Sequence, residues 1–353
     1  MSASFYKNVV VLGTGGTIAG LISDPSRELA YVAAQVGVND IAAQSSLEDI
    51  LSPLNWGLLT EQLAQIDSKD MDRSIWHALC SRCLDHLNDP KVTAIVITHG
   101  TDTLSETAYF LSRLFGQADK PVVITGAMRA HNDPSPDGPQ NLNDAVDFAV
   151  RLDQAGFGGV WVVFDDLVHD PMRVKKVSAQ SLNAFHSFES DGLRDSIASN
   201  RRVSHRSTPM YFEPMADPMV WASWRFDPAV DPQTWPRVEL LTCHADMGSH
   251  LFLDHLIDLK VKQNHIDTFD SLSGLVVSGL GGGTWPKVLE DQLKRLLDLG
   301  VWVVLSSQVP WGQGQAPKGS CLSHAHFSFT TLDPSKARIA LMLHLIKASS
   351  TWL

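Results

Sequence analysis

Cysteine is scarce in this chain: four among 353 residues do not make a disulfide scaffold. Long apolar runs are missing as well. The longest are only strand length, too short to span a bilayer. Basic residues do not dominate, since 28 Lys and Arg stand against 39 Asp and Glu for a formal net charge of −11. That balance leaves no nucleic-acid footprint. The opening residues, Met1-Ser2-Ala3-Ser4-Phe5-Tyr6-Lys7-Asn8, enter an apolar segment with no secretory h-region or cleavage site, so a cytoplasmic location is expected if Met1 is the natural start. No repeat of solenoid period is visible. The 14 histidines form no cluster with tetrahedral zinc spacing, so no metal is expected. Cys80-Ser81-Arg82-Cys83 has C-x-x-C spacing but lies in a helical pattern, where cysteines pack as small hydrophobes.

What is present is an alternation of short apolar runs and helical patterns. Val9 to Leu12, Ala94 to Thr98, Val122 to Thr125 and Val160 to Phe164 read as buried strands of a parallel sheet with right-handed crossovers. Asn132 to Pro139 is a loop by composition. A proline- and tryptophan-rich stretch from about Pro214 to Pro236 then interrupts the pattern. After it, Val238 to Thr242, Gly274 to Ser278 and Val301 to Ser306 read as the strands of a smaller α/β unit. Gly279-Leu280-Gly281-Gly282-Gly283-Thr284 is a turn after a buried strand. The expected class is α/β with two domains, over residues 1–213 and 238–353, joined by a linker at 214–237.

Two strand ends carry hydroxyls. Val9-Val10-Val11-Leu12 runs into Gly13-Thr14-Gly15-Gly16-Thr17-Ile18-Ala19-Gly20, and Ala94 to Thr98 runs into His99-Gly100-Thr101-Asp102-Thr103. The first loop is no dinucleotide fingerprint, because Ile18 occupies the sixth position of G-x-G-x-x-G, and no lysine follows to make a phosphate loop. Glycines there let backbone approach a ligand closely. In the second loop, Thr103 to Glu106 has capping-box spacing, followed by Leu104, Ala108, Leu111 and Phe115 at helical intervals. Loops leaving the carboxyl ends of parallel strands form the ligand crevice, so Thr17 and Thr101 are expected to face one pocket and to support nucleophilic chemistry.

The T-G-G-T-I-A-G run at Thr14 to Gly20 and the H-G-T-D-T run at His99 to Thr103 resemble the two signatures of the bacterial-type asparaginases and glutaminase-asparaginases. Val36-Gly37-Val38 after Tyr31, Ile66 to Met71, Met172 to Lys176, Ser307 to Pro310 and Leu332 to Pro334 resemble further segments of that family. The resemblance implies a two-domain asparaginase-like fold and hydrolysis of L-asparagine to L-aspartate and ammonia through a threonine acyl-enzyme, without a cofactor. It implies Thr17 as nucleophile and Tyr31 as its proton partner. Thr101, Asp102 and Lys176 would handle the proton of the attacking water, and Asp102 would also hold the substrate ammonium. It further implies a homotetramer built as a dimer of dimers, with no nucleic-acid or membrane partner.

Recognition of an amino acid needs an anion site and a cation site. Ser68 precedes the helical pattern Ile75, Leu79, Cys83, Leu87, so its hydroxyl and the free N–H groups of a first turn are expected to receive a carboxylate. Lys69 stands where the family usually has glutamine. It either adds charge to that site or faces solvent. The acid that secreted members place behind the tyrosine has no counterpart in Trp311 to Ser320, which is closer to the cytoplasmic branch; Glu28 is a candidate substitute. By the same resemblance, Asp246 stands where secreted members often have an asparagine that approaches the substrate ammonium from the neighbouring subunit, and a carboxylate there is expected to fill the same role by charge. The alternatives are a glutaminase-asparaginase, the related tRNA-dependent amidotransferase subunit, which normally carries a further amino-terminal domain, and a non-catalytic amino-acid-binding protein.

Overall fold

The computed structural model describes residues 7–23, 31–187, 226–248, 251–263, 271–310 and 324–348. The chain divides into two compact units, Met1–Tyr211 and Phe212–Leu353. In the first, β1 (Lys7–Gly15) leads to a hairpin of β2 (Leu21–Ile22) and β3 (Tyr31–Val32), then to α1 (Val38–Ala43), α2 (Leu47–Leu51) and β4 (Trp56–Ile66). There follow α3 (Arg73–Asn88), β5 (Val92–Thr98), α4 (Leu104–Phe115), β6 (Pro121–Thr125), α5 (Gly138–Gln154), β7 (Gly159–Phe164) and β8 (Leu167–His169). A separate antiparallel pair, β9 (Val174–Lys176) and β10 (Phe185–Ser187), comes next.

The main sheet has the order β4-β1-β5-β6-β7-β8. All its pairings are parallel except the last. In this order the winding reverses between β1 and β5, and that is where a doubly wound sheet opens a crevice at its carboxyl edge. Both threonine loops leave the sheet there. Every residue of β5 is buried, as befits a parallel strand covered on both faces. On one face Val9, Val11, Val96 and Val123 share a core with Leu142 and Val146 of α5. On the other, Trp76 of α3 stacks on Phe110 of α4 with ring centroids 4.7 Å apart. The reversal into β8 uses Asp165 (φ 48) and Asp166 (φ 62), both left-handed, as a two-residue hairpin of this twist requires.

Two details depart from expectation. β1 continues through Gly13–Gly15, read above as part of the loop, because Gly15 still pairs with Ile66. β4 was not anticipated at all. Its mixed sequence follows from its place at the sheet edge, with Leu58 and Leu59 exposed.

The second unit carries β11 (Arg237–Thr242), α6 (Leu251–Gln263), β12 (Leu272–Gly279), α7 (Glu290–Asp298), β13 (Trp302–Ser307), β14 (Phe327–Phe329) and α8 (Pro334–Ala348). Its sheet runs β11-β12-β13-β14, parallel throughout. Leu241, Leu275, Val277, Leu293, Leu296 and Val303 build a core of its own. Gly279 to Thr284 is a turn, closed by a bridge between Leu280 and Thr284. Of the expected linker, residues 214–225 lie outside the described residues; the part that follows holds a short turn, Pro232–Thr234, and the buried Trp235.

Candidate active site

Two threonines stand in the first loop, and the fold separates them. Thr14 is 1% exposed, and its hydroxyl donates to the Thr98 carbonyl at 2.9 Å, tying β1 to β5. Thr17 opens a short 3-10 turn, Thr17–Ala19, and its Oγ1 lies 3.0 Å from the Tyr31 hydroxyl. Tyr31 reaches it from β3, which pairs antiparallel with β2. Three main-chain bonds then bring the chain back under the loop: Ala34 N–H to the Gly16 carbonyl, and Gln35 and Val36 N–H to the Ala19 carbonyl, at 3.1, 2.6 and 2.9 Å.

Gly16 explains why glycine is required. Its φ is +81, and a Cβ there would stand 2.2 Å from the Gly100 Cα. The two threonine loops therefore touch backbone to backbone, one residue before each threonine. A Cβ at Gly100 would in turn stand 2.6 Å from the Ser68 Oγ, so a third loop meets the other two.

In the second loop, Lys176 of β9 donates from Nζ to Thr101 Oγ1 at 2.8 Å and to Asp102 Oδ1 at 2.7 Å. Its side chain is 21% exposed, so it is not the solvated half of a Lys175-Lys176 pair. Thr103 is the N-cap of α4, but its side chain makes no capping bond. The expected capping box is thus not formed on the threonine side. That hydroxyl donates instead to the Ser68 carbonyl at 2.8 Å. His99 is fully buried and bonds through Nδ1 to the Gly100 carbonyl at 2.8 Å. A carbonyl only accepts, so the proton sits on Nδ1. Burial pushes this imidazole down to about 4, opposed by that bond.

The structure corrects the reading of Ser68. It does not cap α3; it starts its own 3-10 turn, Ser68–Asp70, whose cap is Asp67. Helix α3 is capped by Asp72, whose carboxylate accepts from Ile75 N–H at 2.9 Å. Ser68 Oγ instead accepts from the Asp102 N–H at 3.2 Å. Lys69 is held elsewhere: its Nζ pairs with Asp67 at 2.9 Å and Asp70 at 3.0 Å, with the side chain 62% exposed. Those hydrogen bonds, to Asp67 first and then Asp70, push its ammonium up to about 12. Asp246 belongs to the second unit, on an exposed turn after β11 with φ 57. Glu28 and the stretch Trp311 to Ser320 lie outside the described residues. Cys80 and Cys83 are buried free thiols on α3, raised by burial, Cys83 to about 12.

Sequence reasoning missed Gln62 of β4. Its Oε1 accepts from Val38 N–H at 2.7 Å and its Nε2 donates to the Gly13 carbonyl at 3.2 Å. It thus caps α1, whose N-cap residue Gly37 has no side chain to do so, and ties that helix to β1. Only the strand pairing between β4 and β1 could have signalled this. Among the described residues, no group of His, Cys, Asp and Glu is arranged to hold a metal ion, and no helix is long and apolar enough to cross a membrane.

A doubly wound sheet with one hydroxyl beside a phenol and another beside a lysine–aspartate pair, both at its switch point, has the ligand-site layout of an α/β protein. The particular family follows from comparison. The profile described as Asparaginase, N-terminal matches residues 8–210, and that of the Glutaminase/Asparaginase C-terminal domain matches residues 237–351. The chain is 33% identical to L-asparaginase 2 of Escherichia coli (strain K12), over 98% of this chain and 90% of that protein. It is 30% identical to a probable periplasmic L-asparaginase of Haemophilus influenzae, again over 98% and 90%. Among solved structures, the probable cytoplasmic L-asparaginase of Campylobacter jejuni superposes with a TM-score of 0.70 at 29% identity, covering 97% of this chain and 95% of that one. The chain belongs to the asparaginase family.

Proposed function

We propose that this protein is an L-asparaginase that hydrolyses L-asparagine to L-aspartate and ammonia, with Thr17 as nucleophile. The observation that carries the assignment of Thr17 is the 3.0 Å approach of its hydroxyl to that of Tyr31, while Thr14 is occupied within the sheet. Ammonia is a poor leaving group and water a weak nucleophile, so a covalent acyl-enzyme divides the task into two easier steps. Tyr31 accepts the proton of Thr17 on its hydroxyl oxygen while Oγ1 bonds to the amide carbon, and its own hydroxyl proton passes to the departing nitrogen as the C–N bond breaks. Water then attacks the ester. Its proton passes by way of Thr101, held by Lys176 and Asp102, and Thr17 leaves as the free alcohol. Asp102 supplies the counter-charge for the substrate ammonium; Ser68, lying against it, offers a hydroxyl to the carboxylate.

The remaining assignments rest on resemblance. Asp246 serves the site of a neighbouring subunit, the particle is a tetramer of two dimers, and the domains divide at a linker over residues 214–237. A cytoplasmic location is supported by the likeness to the Campylobacter jejuni structure. The purified protein should release ammonia from L-asparagine, and Thr17→Ala should abolish it. Thr101→Ala should still acylate with a trapping substrate but turn over poorly. A covalent adduct on Thr101, with none on Thr17, would reverse the two roles.

A further inference from the structure

The hairpin that carries Tyr31 is very small. β2 and β3 have two residues each, too few to hold a register in water unaided, and Tyr31 is 41% exposed, so packing does not fix it. Hydrogen bonds do. The limb after β3 is held by main-chain bonds from Ala34, Gln35 and Val36 to Gly16 and Ala19. The limb before it is held by a side chain more than a hundred residues away in sequence.

Asn132, on the loop between β6 and α5, turns its amide to both backbone groups of Ile22. Its Oδ1 accepts from Ile22 N–H at 2.7 Å, and its Nδ2 donates to the Ile22 carbonyl at 3.2 Å. The neighbouring His131 N–H donates to the Gly20 carbonyl at 2.9 Å. One primary amide thus takes the place of an adjacent strand on the free edge of β2. Ile22 is also the residue directly opposite Tyr31 in the hairpin register. The loop that presents Asn132 is itself fixed, since the Asp137 carboxylate accepts from Met128 and Arg129 N–H, each at 2.9 Å.

We propose that Asn132 is a positioning residue for the reaction: it sets the register of the β2–β3 hairpin and thereby the place of the Tyr31 hydroxyl against Thr17. This rests on the reading of Tyr31 as the proton acceptor of Thr17. Displacing a reacting group by about 1 Å costs on the order of 100-fold in rate, whereas losing a water-exposed side-chain bond barely alters global stability.

The test compares Asn132→Ala, Asn132→Asp, Tyr31→Phe and the Asn132→Ala/Tyr31→Phe double variant for asparagine hydrolysis, melting temperature and backbone hydrogen exchange over residues 17–37. Asn132→Ala should lower kcat by roughly 10- to 100-fold, with a smaller change in KM, an unaltered melting temperature and faster exchange confined to the hairpin. Asn132→Asp keeps the acceptor but loses the donor, so its loss should be intermediate. The double variant should be no worse than Tyr31→Phe, because both changes act through one hydroxyl. An inactive Tyr31→Phe beside a fully active Asn132→Ala would overturn the proposal and leave the role of Tyr31 standing, as would losses that multiply in the double variant. A fully active Tyr31→Phe would instead overturn the role of Tyr31. Hairpin exchange in Asn132→Ala then decides alone: faster exchange upholds the anchoring, and unchanged exchange overturns it.

Discussion

Lys69 shows how a charge can be committed before any ligand arrives. Its ammonium already faces two carboxylates of its own loop, at 2.9 and 3.0 Å, and exposed pairs of this kind exchange with water at little cost. Drawing it to a substrate carboxylate would mean leaving both partners. Lys69→Gln should therefore keep KM for asparagine within about twofold, the scale of one exposed ion pair, in steady-state assays. A tenfold rise would mean that the lysine abandons Asp67 and Asp70 for the substrate. The residues of the two signature loops were legible because each motif is short and contiguous. Lys69 was not settled, because its partners are two neighbours whose side chains compete for it, and sequence alone does not say which contact forms. The link from the Asp102 N–H to Ser68 was invisible for a different reason: it joins loops that meet only in the folded sheet.

Helix α3 makes a separate case. Of the apolar positions read from its spacing, Leu79 and Cys83 are buried and Ile75 and Leu87 only half-buried, while Trp76 and Cys80 complete the buried face. Its beginning was misplaced by several residues, because Ser68, Asp70 and Asp72 are all competent caps and only the φ and ψ of the chain choose among them. That choice separates structure from chemistry. Asp72→Ala should cost about 1 kcal/mol of stability, as lost N-caps do, in urea unfolding, with kcat and KM unaltered. Ser68→Ala should behave in the opposite way, with weaker substrate binding and little change in stability. Were Asp72→Ala to impair catalysis as much as stability, the helix start and the candidate site would not be the independent elements described here. The edge strand β4 and the two-residue strands β2 and β3 escaped notice for one physical reason. None buries enough side chain to impose an apolar alternation.

For the molecule as a whole, two buried histidines set an acid limit. Burial lowers His99 to about 4, and burial followed by His186 lowers His169 to about 4. Both remain neutral in the folded chain where an ordinary imidazole, near 6.5, has taken up a proton. The unfolded state therefore binds more protons than the folded state as pH falls from about 6.5 towards 4, and stability is lost over that window. Each histidine contributes at most about 1.4 kcal/mol per pH unit to the slope. Urea midpoints measured between pH 7 and pH 5 should fall, and fall less steeply in His99→Asn. An identical slope in that variant would remove His99 from the account and leave the acid sensitivity to His169 and the carboxylates.

The distance along the chain between the partners of the cluster has a kinetic meaning. Tyr31 lies 14 residues from Thr17, Asp102 lies 34 from Ser68, and Lys176 lies 75 from Thr101. Each closure costs more chain entropy than the one before, and contacts between remote residues delay folding. The lysine contact can close only once β9 has formed beyond the whole parallel part of the sheet. On dilution from denaturant, far-ultraviolet circular dichroism should recover first and hydrolytic activity, sampled by interrupted refolding, last. Equal rates for the two signals would mean that the first unit assembles in one concerted step, with its chemistry present from the moment its sheet exists.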